Sequence, residues 1–303
     1  MDSTDQPIIY LGKRDLSFKD LIMSLLKRGR LKPKYIDLLT SDQNMKLYDQ
    51  AFTATTANSE VNYEIMEQLG DLSANKFIVS YTYRRFPQLE CPKGVKVAAR
   101  IRINYGAKQS FSKIADDLGF WNYISASDDD RMHNKKALLE DSLESFLGCT
   151  EQIIDNKYRP GVGYAIVYDI LTDIFDKISI SLDYNDLYDA KTRLKELFDW
   201  DQKLGNVTYI TNRKDVLAET SAYQVPVYGK IAKTNPAMQP IKKQTVMGTD
   251  YTLEPQRDWV LLGTGTAAIQ KDAEQKAAKQ ALLAMKKHGS EKPIPEEYRL
   301  FCD

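Results

Sequence analysis

Histidine is scarce in this chain: among 303 residues only His133 and His288 occur, far apart in sequence. Histidine-rich metal sites and histidine-based nucleophilic triads therefore have little to work with, so any catalysis is expected to rest on carboxylates. Cysteine is nearly as sparse. Cys91, Cys149 and Cys302 are odd in number and widely spaced, which fits neither a disulfide framework nor paired zinc ligands; reduced thiols in a cytosol-like compartment are expected. No apolar run reaches the ~18 residues of a membrane span, and Met1 to Pro7 is polar and acidic, so neither a membrane partner nor secretion is expected. Net charge is absent too, because 42 basic residues balance 42 acidic ones. A chain so balanced does not coat polyanions indiscriminately, and any basic surface must be local.

The length allows two domains, since single cores stop growing near ~250 residues. From about residue 16 to 202 apolar residues recur at spacings of three and four, as in Leu21, Ile22, Leu25 and Leu26 and again in Ile166, Ile170 and Ile174, which is the helical period. Ser59 is expected to cap a long helix that runs to about Arg85 and is stopped by Pro87. A second long helix is expected over roughly 135 to 157, ending before Pro160 and Gly161. After Gly205 the pattern changes to short runs rich in Val, Tyr, Thr and Ile: Val207 to Thr211, Tyr223 to Tyr228 and Trp259 to Leu262. These read as three strands. Residues 229 to 256, with Pro236, Pro240, Pro255 and Lys230, Lys233, Lys242 and Lys243, look like a basic insertion between the second and third. Helices at Ala190 to Lys203 and Gln270 to Lys287 would open and close this part. The expected fold class is α+β multidomain: an all-α domain over 1–184, an α-β-β-β-α domain over 185–289, and a tail over 290–303.

Two acidic pairs stand out. Glu67 and Asp71, four residues apart, share one face of the first long helix, flanked by Met66, Leu69 and Leu72. Asp141 and Glu144, three apart, lie on the second among Leu138, Leu139, Leu143, Phe146 and Leu147. Carboxylates placed against apolar residues repel one another and lose solvation, a cost that a cation would offset. Four hard oxygen ligands from two helices would suit Mg²⁺, which takes carboxylates and water at ~2.0–2.1 Å. Spacing alone does not join the two pairs, and a single acidic pair on a helix is most often a solvated face.

The stretch Asn62-Tyr63-Glu64-Ile65-Met66-Glu67-Gln68-Leu69-Gly70-Asp71 resembles the ribonuclease III signature N-E-x-L-E-F-L-G-D. Lys136 to Gly148, with Asp141 and Glu144, looks like that family's second acidic motif, S-x-L-A-D-x-x-E-A-L-I-G. The resemblance implies that Glu67, Asp71, Asp141 and Glu144 are catalytic, metal-binding acids and that Glu64 takes a structural or RNA-contacting place. It implies Mg²⁺, with Mn²⁺ as a substitute, as cofactor for cleaving double-stranded RNA to 5′-phosphate and 3′-hydroxyl ends with short 3′ overhangs. It also implies a homodimer through the helical domain, although the signature's aromatic residue, which helps lock that dimer, is Gln68 here.

Asp189 to Leu197 resembles the opening helix of a double-stranded-RNA-binding domain, and Gly263-Thr264-Gly265 followed by Lys271 to Leu282 its closing stretch. By that resemblance Thr192, Glu196 and Lys271 would contact RNA, through shape more than sequence. The match departs in Gln270, which replaces the first lysine of a pair, and in the missing G-P-x-H loop. Asp128-Asp129-Asp130 reads as a loop acid cluster, and Arg100 and Arg102 as helix surface. Ala54 to Asn58 and the long insertion are similar in texture to ribonucleases III of large DNA viruses, which would put the protein in host cytoplasm. Two other readings are a catalytically silent RNA-binding scaffold, whose relatives typically lack one or more of the acids, and a silencing suppressor that sequesters short duplexes.

Overall fold

The computed structural model describes residues 8–106, 108–201, 204, 206–209, 212–214, 222–230, 259–299 and 301. The chain divides into two compact units, with the boundary after Ser181. In the first unit a two-residue strand β1 (Ile9–Tyr10) precedes helices α1 (Leu16–Arg28), α2 (Pro33–Leu39), α3 (Asp42–Ala51), α4 (Glu64–Arg85), α5 (Gly94–Tyr105) and α6 (Lys108–Asp117). Strand β2 (Ala126–Ser127), antiparallel to β1, leads into α7 (Asp128–His133), α8 (Lys135–Lys157) and α9 (Val162–Phe175).

Helix α8 is the axis of this unit. From Ser142 to Thr150 every residue is buried, so it has no solvated face there, as befits a helix packed on several sides. It touches α3, α4, α6 and α9. Against α3, the Ser145 hydroxyl donates to the Ala51 carbonyl, and Tyr48 stacks on Phe146 with centroids 5.8 Å apart.

Against α4 the approach is closer still. A β-carbon on Gly70 would collide with the backbone carbonyl of Glu144, and one on Gly148 with the carbonyl of Met66. The two helices therefore meet backbone to backbone, at positions where only glycine leaves room. This crossing sets one acidic pair beside the other.

Helix α4 begins later than its sequence suggests. Ser59 is not its cap: the Asn58 side chain accepts from the amides of Glu60 and Val61, both at 2.9 Å, and the Asn62 side chain accepts from Glu64 N at 3.1 Å. Those side chains occupy amides that a longer helix would need, so the helix starts at Glu64. Glu64 and Glu67 then lie in the first turn and Arg84 and Arg85 in the last, each favourable for the macrodipole. Asp128-Asp129-Asp130 is not a loop cluster either; it forms the first turn of α7, where the Ser127 hydroxyl caps Asp130 N at 3.2 Å.

The second unit contains α10 (Tyr184–Leu187), α11 (Ala190–Trp200), strands β3 (Val207–Tyr209), β4 (Asn212–Lys214), β5 (Ala222–Lys230) and β6 (Trp259–Ala267), then α12 (Gln270–Lys287) and α13 (Glu296–Arg299). Helix α11 stops at Trp200, short of the expected Lys203. Strands β3 and β4 both pair antiparallel with β5 in one unbroken register, Val207 opposite Gly229 and Lys214 opposite Ala222, while β6 takes the other edge. The sequence suggests one first strand ending at Thr211, whereas the described residues hold two short strands, the second lying beyond Thr211.

Strand β6 runs to Ala267 and so includes Gly263 and Gly265, which the sequence places after its end. Their missing side chains let α12 lie directly on the strand, because β-carbons there would strike backbone atoms of Ala277 and Ala273. Leu194, Leu197, Phe198, Val227, Leu262 and Met285 fill the core between helices and sheet. The insertion expected at 229–256 lies outside the described residues from 231 onward. The expected tail folds back: Tyr298 is buried against Tyr184 and Tyr188, with its hydroxyl 2.9 Å from that of Tyr188.

Replacing Gly148 by alanine tests the helix crossing. Alanine gains ~1 kcal/mol of helix propensity, but the obstructing atoms are backbone and cannot swing away, so overpacking of ~1–3 kcal/mol should prevail. The unfolding midpoint in urea is expected to fall; a rise would show that the helices can part without loss.

Candidate metal centre

The α4–α8 crossing brings three carboxylates together. Ligand oxygens of Glu67, Asp141 and Glu144 all lie within 4.8 Å of one another. Asp71, the fourth acid marked by the sequence, stands outside this trio. Its Oδ1 accepts from the Asn75 side chain at 2.6 Å, although its charge still acts on both glutamates. Glu64 is exposed one turn earlier and adds its charge to Glu67 from the outside.

Burial dominates the electrostatics. Glu144 is only 5% exposed, and desolvation, followed by the charges of Glu140, Asp71, Glu67 and Asp141, pushes its carboxyl up to about 9. Glu67 is raised for the same reasons, with burial first and Asp141 and Asp71 next. The charges that raise both groups belong to other carboxylates. A buried acid in such company either keeps its proton or meets a cation. The donor set is entirely hard oxygen, so these residues fit a hard divalent cation.

Two groups at this centre carry no obvious mark in the sequence. Glu140, half-buried, exerts the largest charge effect on Glu144; its place one turn before Glu144 is the signal that could have found it. Tyr63 is 7% exposed and its hydroxyl donates to Asp141 Oδ2 at 2.9 Å. Burial and the adjacent Asp141 drive its ionisation far upward, so it remains a donor.

The three RNA-contact candidates in the second unit fare differently. Thr192 and Lys271 line one cleft between α11, β3 and α12, together with Lys191, Lys195 and Gln275. Thr192 also closes the cap of α11, its hydroxyl donating to Asp189 Oδ2 at 2.7 Å. Glu196 is not among the residues lining the cleft. It accepts from the Tyr184 hydroxyl and from Lys292 Nζ, the latter at 2.7 Å. Of the lysines in the basic insertion, Lys233, Lys242 and Lys243 lie outside the described residues, as does the side chain of Lys230.

No family model matches the chain, but curated relatives do. A protein of Invertebrate iridescent virus 6, provisionally named ribonuclease 3, is 37% identical over 317 residues, covering 99% of this chain and 98% of that one. A protein of Frog virus 3 with the same provisional name is 38% identical over 261 residues, covering 86% of this chain and 60% of its own length. Ribonuclease 3 of Limosilactobacillus fermentum is 30% identical over 248 residues, covering 79% of this chain and 89% of its own. Among solved structures, the nuclease domain of ribonuclease III from Campylobacter jejuni covers 52% of this chain at 23% identity and a TM-score of 0.40, with 99% of that domain matched.

The helical unit with its acidic centre and the named relatives together define an endoribonuclease. The chain belongs to the ribonuclease III family. Among the described residues no helix is long and apolar enough to cross a membrane.

The raised Glu144 carboxyl has a consequence for stability. An unfolded chain releases this proton near the ordinary 4.5, whereas the folded one holds it to about 9. Between those values the unfolded state binds fewer protons, so stability declines as pH rises. In chelator, the melting temperature should therefore fall across that interval, and Glu144→Gln should remove much of the slope. A wild-type profile that rises with pH would show that Glu144 is ionised in the metal-free fold.

Proposed function

We propose that this protein is a Mg²⁺-dependent endonuclease for double-stranded RNA, in which Mn²⁺ can substitute, producing 5′-phosphate and 3′-hydroxyl ends with short 3′ overhangs. The observation that carries this reading is the convergence of Glu67, Asp141 and Glu144 from two helices within 4.8 Å. These three would hold the cation, and Asp71, oriented by Asn75, would complete the acidic set. A bound divalent cation supplies charge for the phosphoryl oxygens and acidity for a water. The protein's own part is to fix the carboxylates on rigid helices and to keep them ionised only when a cation is present.

Residues 1–184 are assigned to cleavage and 185–289 to binding duplex RNA, with the insertion at about 229–256 and the segment 290–303 as appendages. The order helix, sheet, helix in the second unit supports this, as does Lys271 in the first turn of α12, where free amides and the macrodipole favour phosphate. Glu196 is set aside as an RNA contact, because Tyr184 and Lys292 already engage it. A catalytically silent scaffold is disfavoured by the intact acids. Host cytoplasm is the proposed place of action.

A homodimer is part of the proposal. On α4, Ile65, Leu69 and Leu72 are 69%, 41% and 63% exposed, and Gln68 beside them is exposed as well. Apolar side chains grouped on one exposed helix face favour a protein partner, here a second copy.

Incubating the purified protein with labelled duplex and single-stranded RNA, with Mg²⁺ and with chelator, tests the activity. Duplex alone should be cut, and only with metal. Glu144→Gln should lower cleavage by more than the ~10–100-fold typical of losing an outer partner of a ligand, while duplex binding stays within a few-fold. Equal loss of both would count against the assignment. Separately, Leu72→Asp should convert a dimer to a monomer in sedimentation; a persistent dimer would move the interface away from α4.

A further inference from the structure

Tyr63 bonds to both halves of the acidic centre. Its carbonyl accepts from Glu67 N at 2.8 Å, which makes it the foundation of the turn bearing Glu67. Its amide donates to Thr53 O at 3.0 Å, which ties it to the segment after α3. Its ring is buried and its hydroxyl crosses to α8, reaching Asp141 Oδ2 at 2.9 Å. The ribonuclease III signature has asparagine where this chain has Tyr63, so the phenol is a departure from the motif.

A carboxylate on a flexible stem offers a cation many orientations, most of them unproductive. A hydrogen bond to one oxygen removes that freedom before the cation arrives, and outer partners of this kind carry a substantial share of metal affinity. A neutral donor suits the position better than a cationic one. It orients Asp141 without spending the negative charge that the site presents, and it lessens the repulsion between Asp141 and Glu67.

We propose that Tyr63 is a positioning residue of the metal centre, whose hydroxyl fixes the Asp141 carboxylate beside Glu67 and Glu144 and so raises their affinity for a divalent cation. This rests on the metal-centre reading of the three acids.

The test is Tyr63→Phe in the full chain, which keeps the buried ring and removes only the donor. Mn²⁺ is titrated calorimetrically without RNA, and the Mg²⁺ dependence of duplex cleavage is measured in parallel. The dissociation constant for Mn²⁺ should rise by about 10–100-fold, and half-saturating Mg²⁺ should shift by a similar factor. The cleavage rate should recover toward wild type at saturating metal. In an Asp141→Ala background the same change should leave Mn²⁺ affinity unaltered, because the oriented group is gone. Unchanged Mn²⁺ affinity in Tyr63→Phe overturns the proposal, and so does a variant that no longer folds, since the hydroxyl would then serve the core. Wild-type protein that binds no divalent cation would instead sink the metal-centre reading itself.

Discussion

The contact between the backbones of α4 and α8 at Gly70 and Gly148 governs the rest of the first unit. Two helices separated by ordinary side chains lie 8–10 Å apart. Here glycine on each side removes the spacer. Residues flanking the contact are thereby drawn to within ligand distance: Glu67 lies three positions before Gly70, and Glu144 four before Gly148. The acids reach one another because the helices do.

That closeness carries an electrostatic cost. Glu144 is buried among carboxylates, an arrangement that a protein selected for stability alone would avoid. The surrounding packing holds it in place: α8 is enclosed through this stretch, and its neighbours Leu143, Phe146 and Leu147 are fully buried. A core of this kind can hold closely spaced acids that keep a proton until a cation replaces it, which is a common way for functional sites to trade stability for chemistry.

The second unit reuses the device in a different setting. Gly263 and Gly265 let α12 sit on β6 as Gly70 and Gly148 let α4 sit on α8. Around this core, the segment after α12 returns to α10 through the tyrosines at 184, 188 and 298, and Lys292 reaches Glu196. Helix α11 is thus braced on the side of Glu196, while Thr192 and Lys271 border a cleft elsewhere on the same unit.

The sequence by itself determined the local elements and the candidate acids. Helical periodicity located α8 and composition rich in alanine and lysine located α12, because both are properties of neighbours along the chain. The motifs marked Glu67, Asp71, Asp141 and Glu144. Where side chains compete for backbone amides, as Asn58 and Asn62 do ahead of α4, the cap expected at Ser59 misplaced the boundary. Only the tertiary structure decided that three of the four acids form a trio with Asp71 beside it, that Glu140 adds a further charge, and that Tyr63 crosses from one helix to the other. It also decided that Glu196 is engaged within its own unit. Those facts depend on distances between residues up to 96 positions apart in the chain, and such distances are fixed by how closely backbones approach, not by any pattern along a single segment.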